Sequence, residues 1–323
     1  MGIKYLNSYL QRNCRDSINS VHFNELYGKK IAVDVSIYMY KYEADGLLLE
    51  NMFLLISIMH YYGIIPIFVF EGKTPAEKKD LIEKRAEVRN VAKAEIAVLK
   101  EIVAKNEVKD VEEKNEILAT IEQLKKKTTQ INYRKIAKVK ALMRAYGVTY
   151  FDAHGEADQL CAMLTITGKV WACMSEDMDM FVYGCPRVLR YVSLVQHNAV
   201  LYETNCILQT LNMTQQEFSD ICILSGTDYN VKEQNINLKN TLKLFNQFKQ
   251  NNINTNSNFY EWLLYNTSYI TNIEQLTKIH DMFDITSEMN KSLEIFDKIV
   301  IENGPIRDDE LEEIMEEDGF IFI

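Results

Sequence analysis

Two pairs of carboxylates, each spaced at i and i+2, mark this chain: Glu156 and Asp158 in Gly155-Glu156-Ala157-Asp158, and Asp177 and Asp179 in Ser175-Glu176-Asp177-Met178-Asp179. An apolar segment ending Val170-Trp171-Ala172-Cys173-Met174 separates them. Two more acids close apolar, β-branched runs: Asp34 after Ile31-Ala32-Val33, and Glu71 after Ile64 to Phe70. Any one of these acids is ordinary as a helix N-cap. Gathered in one place they repel one another, and raised pKa values would neutralise them unless cations compensated the charge. Oxygen-only donors select a hard ion such as Mg²⁺, with Mn²⁺ as a substitute, over Zn²⁺. So many acids exceed what one such ion takes from protein, so two ions about 4 Å apart are implied, an arrangement suited to in-line attack of water on a phosphodiester. The five histidines (His22, His60, His154, His197, His280) show no ligand spacing. Asp228, in Ser225-Gly226-Thr227-Asp228, reads on its own as a turn former or cap.

The acids need a scaffold that brings them together. Ile31 to Val35, Ile64 to Phe70, Val148 to Phe151 and Val170 to Met174 read as buried strands, with a helix over residues 48–62 and another after Glu156. Strand, acid, helix, strand, acid is the rhythm of a mostly parallel α/β sheet, in which sites form outside the carboxyl ends of the strands. From Ala76 to about Ala145 the chain is almost free of Gly and Pro, which predicts two or three long helices broken near Asn106 and Thr128-Thr129. Their cations cluster as Lys78-Lys79, Lys84-Arg85 and Lys125-Lys126-Lys127, either a solvated face or a surface that tracks phosphates. Asn235 to Phe248 reads as a basic amphipathic helix with Lys239 and Lys243 one turn apart, and the Asn-rich residues 250–258 as a loop.

Composition bounds the reading. The chain has 323 residues, 47% of them hydrophobic, with a net charge of −10. Residues 302–318 carry nine acids against Arg307, whereas residues 73–140 carry eighteen Lys and Arg against twelve Asp and Glu. A basic surface is therefore available despite the acidic total. Ser57, His60, Gly63 and Pro66 interrupt the apolar stretch Met52 to Phe70, so no membrane span is expected. The N-terminus lacks the basic flank and apolar run of a signal peptide, and the six cysteines form no Cys-x-x-Cys. An intracellular, non-secreted protein with reduced thiols is the expectation.

Six motifs together resemble one family: Met1-Gly2-Ile3; Val33-Asp34 with Ser36; Phe68-Val69-Phe70-Glu71-Gly72-Lys73 with Pro75; Gly155-Glu156-Ala157-Asp158; Ser175-Glu176-Asp177-Met178-Asp179; and Leu224-Ser225-Gly226-Thr227-Asp228-Tyr229. In order and spacing they are similar to the flap endonucleases, the family that includes the xeroderma pigmentosum group G nucleases. The resemblance implies a PIN-like, resolvase-like nuclease core with a mostly parallel sheet. Its N-terminal half would be residues 1–95, a helical arch 96–145, the internal half 146–230, a helical DNA-binding region with a degenerate helix-hairpin-helix 231–303, and an acidic tail 304–323. It implies a structure-specific 5′ nuclease with two divalent ions, one at Asp34, Glu71, Glu156 and Asp158 and the other at Asp177, Asp179 and Asp228. Lys78 and Arg85 would act on the scissile phosphate, Gly2 would sit near the site, and Tyr40, with Tyr38 as competitor, would stack on a terminal base. Lys79, Lys84, Lys239 and Lys243 would contact nucleic acid. The implied partner is DNA with a 5′ flap, nick or junction, bound by a monomer.

Several features depart from that family. Glu71 stands where Asp is usual and Asp158 where Glu is usual. The chain between Asp34 and Met52 is short for an inserted wedge, and the Gly-Ile-Gly hairpin is replaced by Asn235-Ile236-Asn237. The tail has no glutamine-led sliding-clamp motif; it is either a solvated end or a short partner-binding peptide closed by Phe320-Ile321-Phe322-Ile323. An RNA endonuclease of the same fold and a catalytically weak DNA-binding scaffold are the alternatives. A haloacid-dehalogenase phosphatase needs Asp where Ser36 stands, and a topoisomerase-primase type domain leaves Asp34 unexplained.

Overall fold

The computed structural model describes residues 3–74, 78–105, 111–229, 236–251, 258–270, 273–285, 293–294, 296 and 298–320. The chain divides into two compact units, each assembled from separated segments. The first comprises Met1–Val35, Ile58–Thr74 and Val148–Asn303, and the second Ser36–Ser57, Pro75–Gly147 and Gly304–Ile323.

The first unit is built on a seven-stranded sheet: β1 (Ile18–His22), β2 (Lys30–Asp34), β3 (Ile65–Phe70), β4 (Thr149–Asp152), β5 (Ala172–Met174), β6 (Arg187–Ser193) and β7 (Asn198–Glu203). Their spatial order is β1-β7-β6-β5-β2-β3-β4. Strands β6, β5, β2, β3 and β4 pair in parallel, and an antiparallel ribbon of β7 and β1 extends the β6 edge. The four predicted strands are thus the adjacent block β4-β3-β2-β5. The middles of the two central strands are wholly buried, Ile31, Ala32 and Val33 in β2 and Ile67, Phe68 and Val69 in β3 each showing no exposure. Burial on both faces is why these strands read as unbroken apolar runs. The helix Ala157–Ile166 supplies part of the covering core, with Leu160, Cys161, Ala162 and Leu164 buried.

The ribbon side of the sheet was not anticipated. β1 buries only Val21 and exposes Asn19 and Ser20, and β6 carries Arg187, Arg190 and Tyr191, so neither presents a continuous apolar signature. The six cysteines are all thiols, five of them buried. No helix among the described residues is long and apolar enough to cross a membrane.

The second unit is helical. Lys79–Ala104 and Val111–Lys127 join through a small core of Ala92, Ile96, Ile121 and Leu124. The helix Tyr133–Ala145 is capped by Asn132, whose side chain accepts from the Lys135 N–H at 3.0 Å. Onto it folds the acidic tail, which corrects the reading of a solvated end. Residues Asp308–Glu316 form a helix with Leu311 and Met315 buried, and Lys138 reaches Asp318 at 3.4 Å. The Phe320 ring lies 5.8 Å from that of Phe53. Two apolar residues spaced i, i+4 suffice to dock one stripe of an otherwise charged helix. The tail returns at Gly147, whose carbonyl accepts from the Gly304 N–H at 2.8 Å; with φ +67° and the Gly304 carbonyl carbon 2.7 Å from where a Cβ would stand, no larger residue fits there.

Candidate active site

Asp34 is the last residue of β2 and only 3% exposed. It stands where the strand order turns back, β3 on one side of β2 and β5 on the other, the position at which open α/β sheets build their sites. Ser175, just past β5, joins the two sides. Its hydroxyl donates to Asp34 Oδ2 at 3.0 Å and accepts from the Asp177 N–H at 3.1 Å. Asp177 Oδ1 in turn accepts from the Asp179 N–H at 3.0 Å, a local turn that launches the short helix Asp179–Val182. Asp179 is thereby held at 2% exposure.

On the other side, β3 and β4 keep pairing past their ends: Ala153 N–H donates to Phe70 O and Gly72 N–H to Gly155 O, both at 2.9 Å. A Cβ on residue 72 would stand 1.9 Å from Ala153 O, so glycine is required for the two loops to meet. That approach lets Glu71 Oε2 accept the Ala157 N–H at 2.9 Å, capping the helix Ala157–Ile166. Glu156 occupies the N-cap position, its carbonyl accepting from the Leu160 N–H at 3.4 Å while its side chain makes no cap bond, and Asp158 lies in the first turn, Oδ1 accepting from Gln159 N–H at 2.7 Å. The helix dipole favours all three acids there. Glu156 also accepts a hydrogen bond from the Tyr229 hydroxyl, and Tyr229 follows Asp228 directly.

The two pairs converge. Burial raises the Tyr183 phenol well above its usual pKa, and Asp158 and Asp179 both add to the effect. Burial, with smaller contributions from Asp34 and Asp158, pushes the Cys161 thiol up to about 11. Tyr229 is raised by burial first, then by Asp158 and Glu156. Asp34, Glu156, Asp158 and Asp179 therefore share buried neighbours, Asp177 is tied in through Ser175, and Glu71 and Asp228 border the group, Glu71 exposed and Asp228 half-buried. They do not close into a cage: among the described residues, no three His, Cys, Asp or Glu side chains are disposed to hold an ion.

Other residues singled out from the sequence lie elsewhere. Lys239 and Lys243 are exposed on the helix Leu238–Asn251, opposite the buried Leu238, Thr241, Phe245 and Phe248. Within the second unit, Lys78 is half-buried at the start of Lys79–Ala104, while Lys79, Lys84 and Arg85 are exposed. Tyr38 has no exposure and Tyr40 is 50% exposed, so Tyr40 alone of the two offers a ring for stacking. Gly2 and Asn235 lie outside the described residues; Asn237 caps Leu238–Asn251, its Oδ1 accepting from Asn240 N–H at 3.0 Å.

Three residues that organise the site were not assigned roles from the sequence: Ser175, Tyr229 and Arg190. A serine closing the apolar run Ala172-Cys173-Met174 and a tyrosine adjoining Asp228 were available signals. Arg190 had none. It is 5% exposed and donates to Asn7 Oδ1 at 2.8 Å and to Glu176 O at 3.0 Å, fixing the backbone beside Asp177.

Comparison with known proteins covers both halves of this site. Residues 1–92 match the XPG N-terminal domain and residues 147–228 the XPG I-region. Flap endonuclease 1 of Glycine max is 32% identical over 266 residues, 76% of this chain and 66% of that protein. Flap endonuclease 1 of Zea mays is likewise 32% identical, over 67% of its length, so the match spans about two thirds of these relatives. Among solved structures, the catalytic core of Rad2 in complex with DNA substrate superposes with TM-score 0.66 at 20% identity, over 97% of this chain and 93% of that one. Human GEN1 in complex with Holliday junction DNA gives 0.59 at 18% identity, over 98% of this chain and 73% of that one. The flap endonuclease-1 from Methanococcus jannaschii gives 0.51 at 22%, over 93% and 97%. The likeness to the solved structures is one of fold; the sequence matches go further, and by them the chain belongs to the flap endonuclease and XPG family.

Proposed function

We propose that this chain is a metal-dependent, structure-specific 5′ nuclease that hydrolyses phosphodiesters of branched or nicked DNA. The observation that carries the reading is the gathering of Asp34, Glu156, Asp158, Asp177 and Asp179 at the β2–β5 switch point of this family's fold. Carboxylates buried to 8% exposure or less, as Asp34, Glu156, Asp158 and Asp179 are, cost stability unless their charge is met. The donor set is oxygen, which fits a hard divalent ion. Asp34, Glu71, Glu156 and Asp158 would hold one Mg²⁺, and Asp177, Asp179 and Asp228 a second, each set drawing in from its open arrangement. When bound, such ions lower the pKa of water and offset charge on the phosphate.

The remaining work belongs to the chain. Ser175 fixes Asp34 against Asp177, Glu71 locks the helix that carries Asp158, and Tyr229 orients Glu156. Lys78 and Arg85 supply positive charge to the transition state. DNA with a 5′ flap, nick or junction is the proposed substrate.

The test is cleavage of labelled 5′-flap, nicked, bubble, four-way-junction and RNA-hairpin substrates with Mg²⁺ or Mn²⁺, beside an Asp179→Ala control. Metal-dependent cutting of branched DNA, lost in the control, is expected. Cutting of RNA alone would replace the reading by that of an RNA endonuclease, and failure on every substrate would leave a DNA-binding scaffold.

A further inference from the structure

Tyr5 and Tyr191 both hold left-handed backbone, φ +64° and +54°. Such conformations are uncommon outside glycine and asparagine, and for a bulky residue they are strained. Both side chains nevertheless face solvent, Tyr5 at 72% and Tyr191 at 44% exposure, so core packing does not explain the choice of tyrosine. Strain of this kind is retained where the surroundings over-determine it.

The surroundings of Tyr191 do so. Its N–H donates to Glu176 Oε1 at 2.6 Å and its hydroxyl accepts from Asn7 Nδ2 at 2.8 Å. The Arg190 guanidinium lies 4.9 Å from its ring centroid, backing one face. A register shift between Arg190 and Ser193 interrupts the β6–β7 pairing, the kind of bulge that re-aims a side chain. Tyr5 is the N-cap of the helix Leu6–Asn13, two residues before Asn7. Asn7, which bonds the Tyr191 hydroxyl, lies two residues beyond Tyr5 in the chain, and Glu176, which holds the Tyr191 N–H, is the neighbour of Asp177. Exposed Lys4 adds positive charge beside Tyr5.

We propose that Tyr5 and Tyr191 form a stacking platform for unpaired bases, seating the single-stranded part of the substrate beside the Asp177–Asp179 loop. A ring backed by a cation on one face and open on the other suits a nucleobase, and stacking of this kind takes any base. The proposal rests on the nuclease reading and narrows its substrate to nucleic acid with unpaired residues at that loop.

The test is fluorescence anisotropy with an end-labelled thymine oligonucleotide and a blunt duplex, both in Ca²⁺, together with thermal unfolding. The variants are Tyr5→Gly and Tyr191→Asn, which tolerate the left-handed backbone, and Tyr5→Phe, which keeps the ring. Tyr5→Gly should raise the Tm by relieving strain, yet weaken single-strand binding about fivefold or more, the loss of one base stack. Tyr191→Asn should weaken it similarly, Tyr5→Phe should bind as the parent does, and duplex binding should change less than about twofold in all three. A purely structural role for Tyr5 cannot yield a more stable protein that binds less. Unchanged single-strand binding in both ring-deleting variants, or equal losses for strand and duplex, would overturn the platform. If the parent still cuts branched DNA in that case, the nuclease reading survives; a parent that neither binds nor cuts removes both.

Discussion

The two units place charge in opposite ways. At the carboxyl edge of the sheet four acids are 8% exposed or less, each tied in by a hydrogen bond at a strand end or helix start. In the helical unit Lys79, Lys84 and Arg85 stand in solvent on helices joined by four small and medium apolar residues. Exposed cations cost little and can be placed by helical spacing alone. Buried acids are expensive and must be placed by the fold. The difference teaches where chemistry is preorganised and where charge only needs to be available.

That contrast makes its largest prediction for Asp34→Asn and Asp179→Asn. Each should cut cleavage about 10³-fold or more, because the acid is replaced where two ions are proposed. Without divalent ions each variant should unfold at the same denaturant concentration as the parent or a higher one, since a desolvated charge has been removed. Urea titrations with and without Mg²⁺ check this, and Mg²⁺ should stabilise the parent more than either variant. Metal-free variants that lose several kcal/mol would mean the acids serve the fold, and the contrast would break.

The same contrast decides what could be read from residues alone. Ile31 to Asp34 and Ile64 to Phe70 were plain because strands covered on both faces leave continuous apolar runs, and acids at their ends then fell on one edge. The helices Lys79–Ala104, Val111–Lys127 and Tyr133–Ala145 were equally plain from the lack of Gly and Pro. Strand β6 was missed because it carries arginines whose partners, Trp171, Asn7 and Glu176, are remote in sequence. The tail misled because eight acids outweigh Leu311 and Met315 in composition, though two buried residues on one stripe dock a helix. Which carboxylate bonds which backbone amide, as Glu71 does at Ala157, depends on loops meeting at Gly72 and is invisible in one dimension.

Next in size are two cations of the helical unit, the half-buried Lys78 and the exposed Arg85. Lys78→Ala and Arg85→Ala should each lower the cleavage rate about 10- to 100-fold, the worth of one charge-assisted contact, with nearly unchanged DNA binding. Stability should move by less than about 0.5 kcal/mol, as for surface positions generally. Single-turnover rates beside binding isotherms separate the two effects. Equal loss of rate and affinity would make these residues ordinary phosphate contacts and weaken the claim that the helical unit takes part in chemistry.

The smallest effect on cleavage comes from a buried acid outside the edge, which asks whether burial alone sets the site apart. Asp220, on the helix Gln215–Ser225, is 7% exposed; Gln216 Nε2 donates to its Oδ1 at 3.0 Å and His280 Nε2 stands 3.5 Å away. Burial pushes its carboxyl up to about 6, with His280 and Gln216 opposing and Glu217 adding slightly. Because the folded pKa lies above the unfolded value of 3.8, the folded state holds more protons between the two. The resulting stability is present below the lower value and is lost as pH rises through about 6. Asp220→Asn removes the charge and keeps an acceptor for Gln216. It should leave stability nearly unchanged at pH 4 and raise it by up to about 3 kcal/mol at pH 8, the full shift, in which the opposition of His280 and Gln216 is already counted. Urea unfolding at both pH values measures this, and cleavage at pH 8 should be unaltered. A variant that gained stability and lost activity would show that buried charge anywhere in the first unit feeds the reaction, whereas gain without loss confines the chemistry to the acids that the sheet edge gathers.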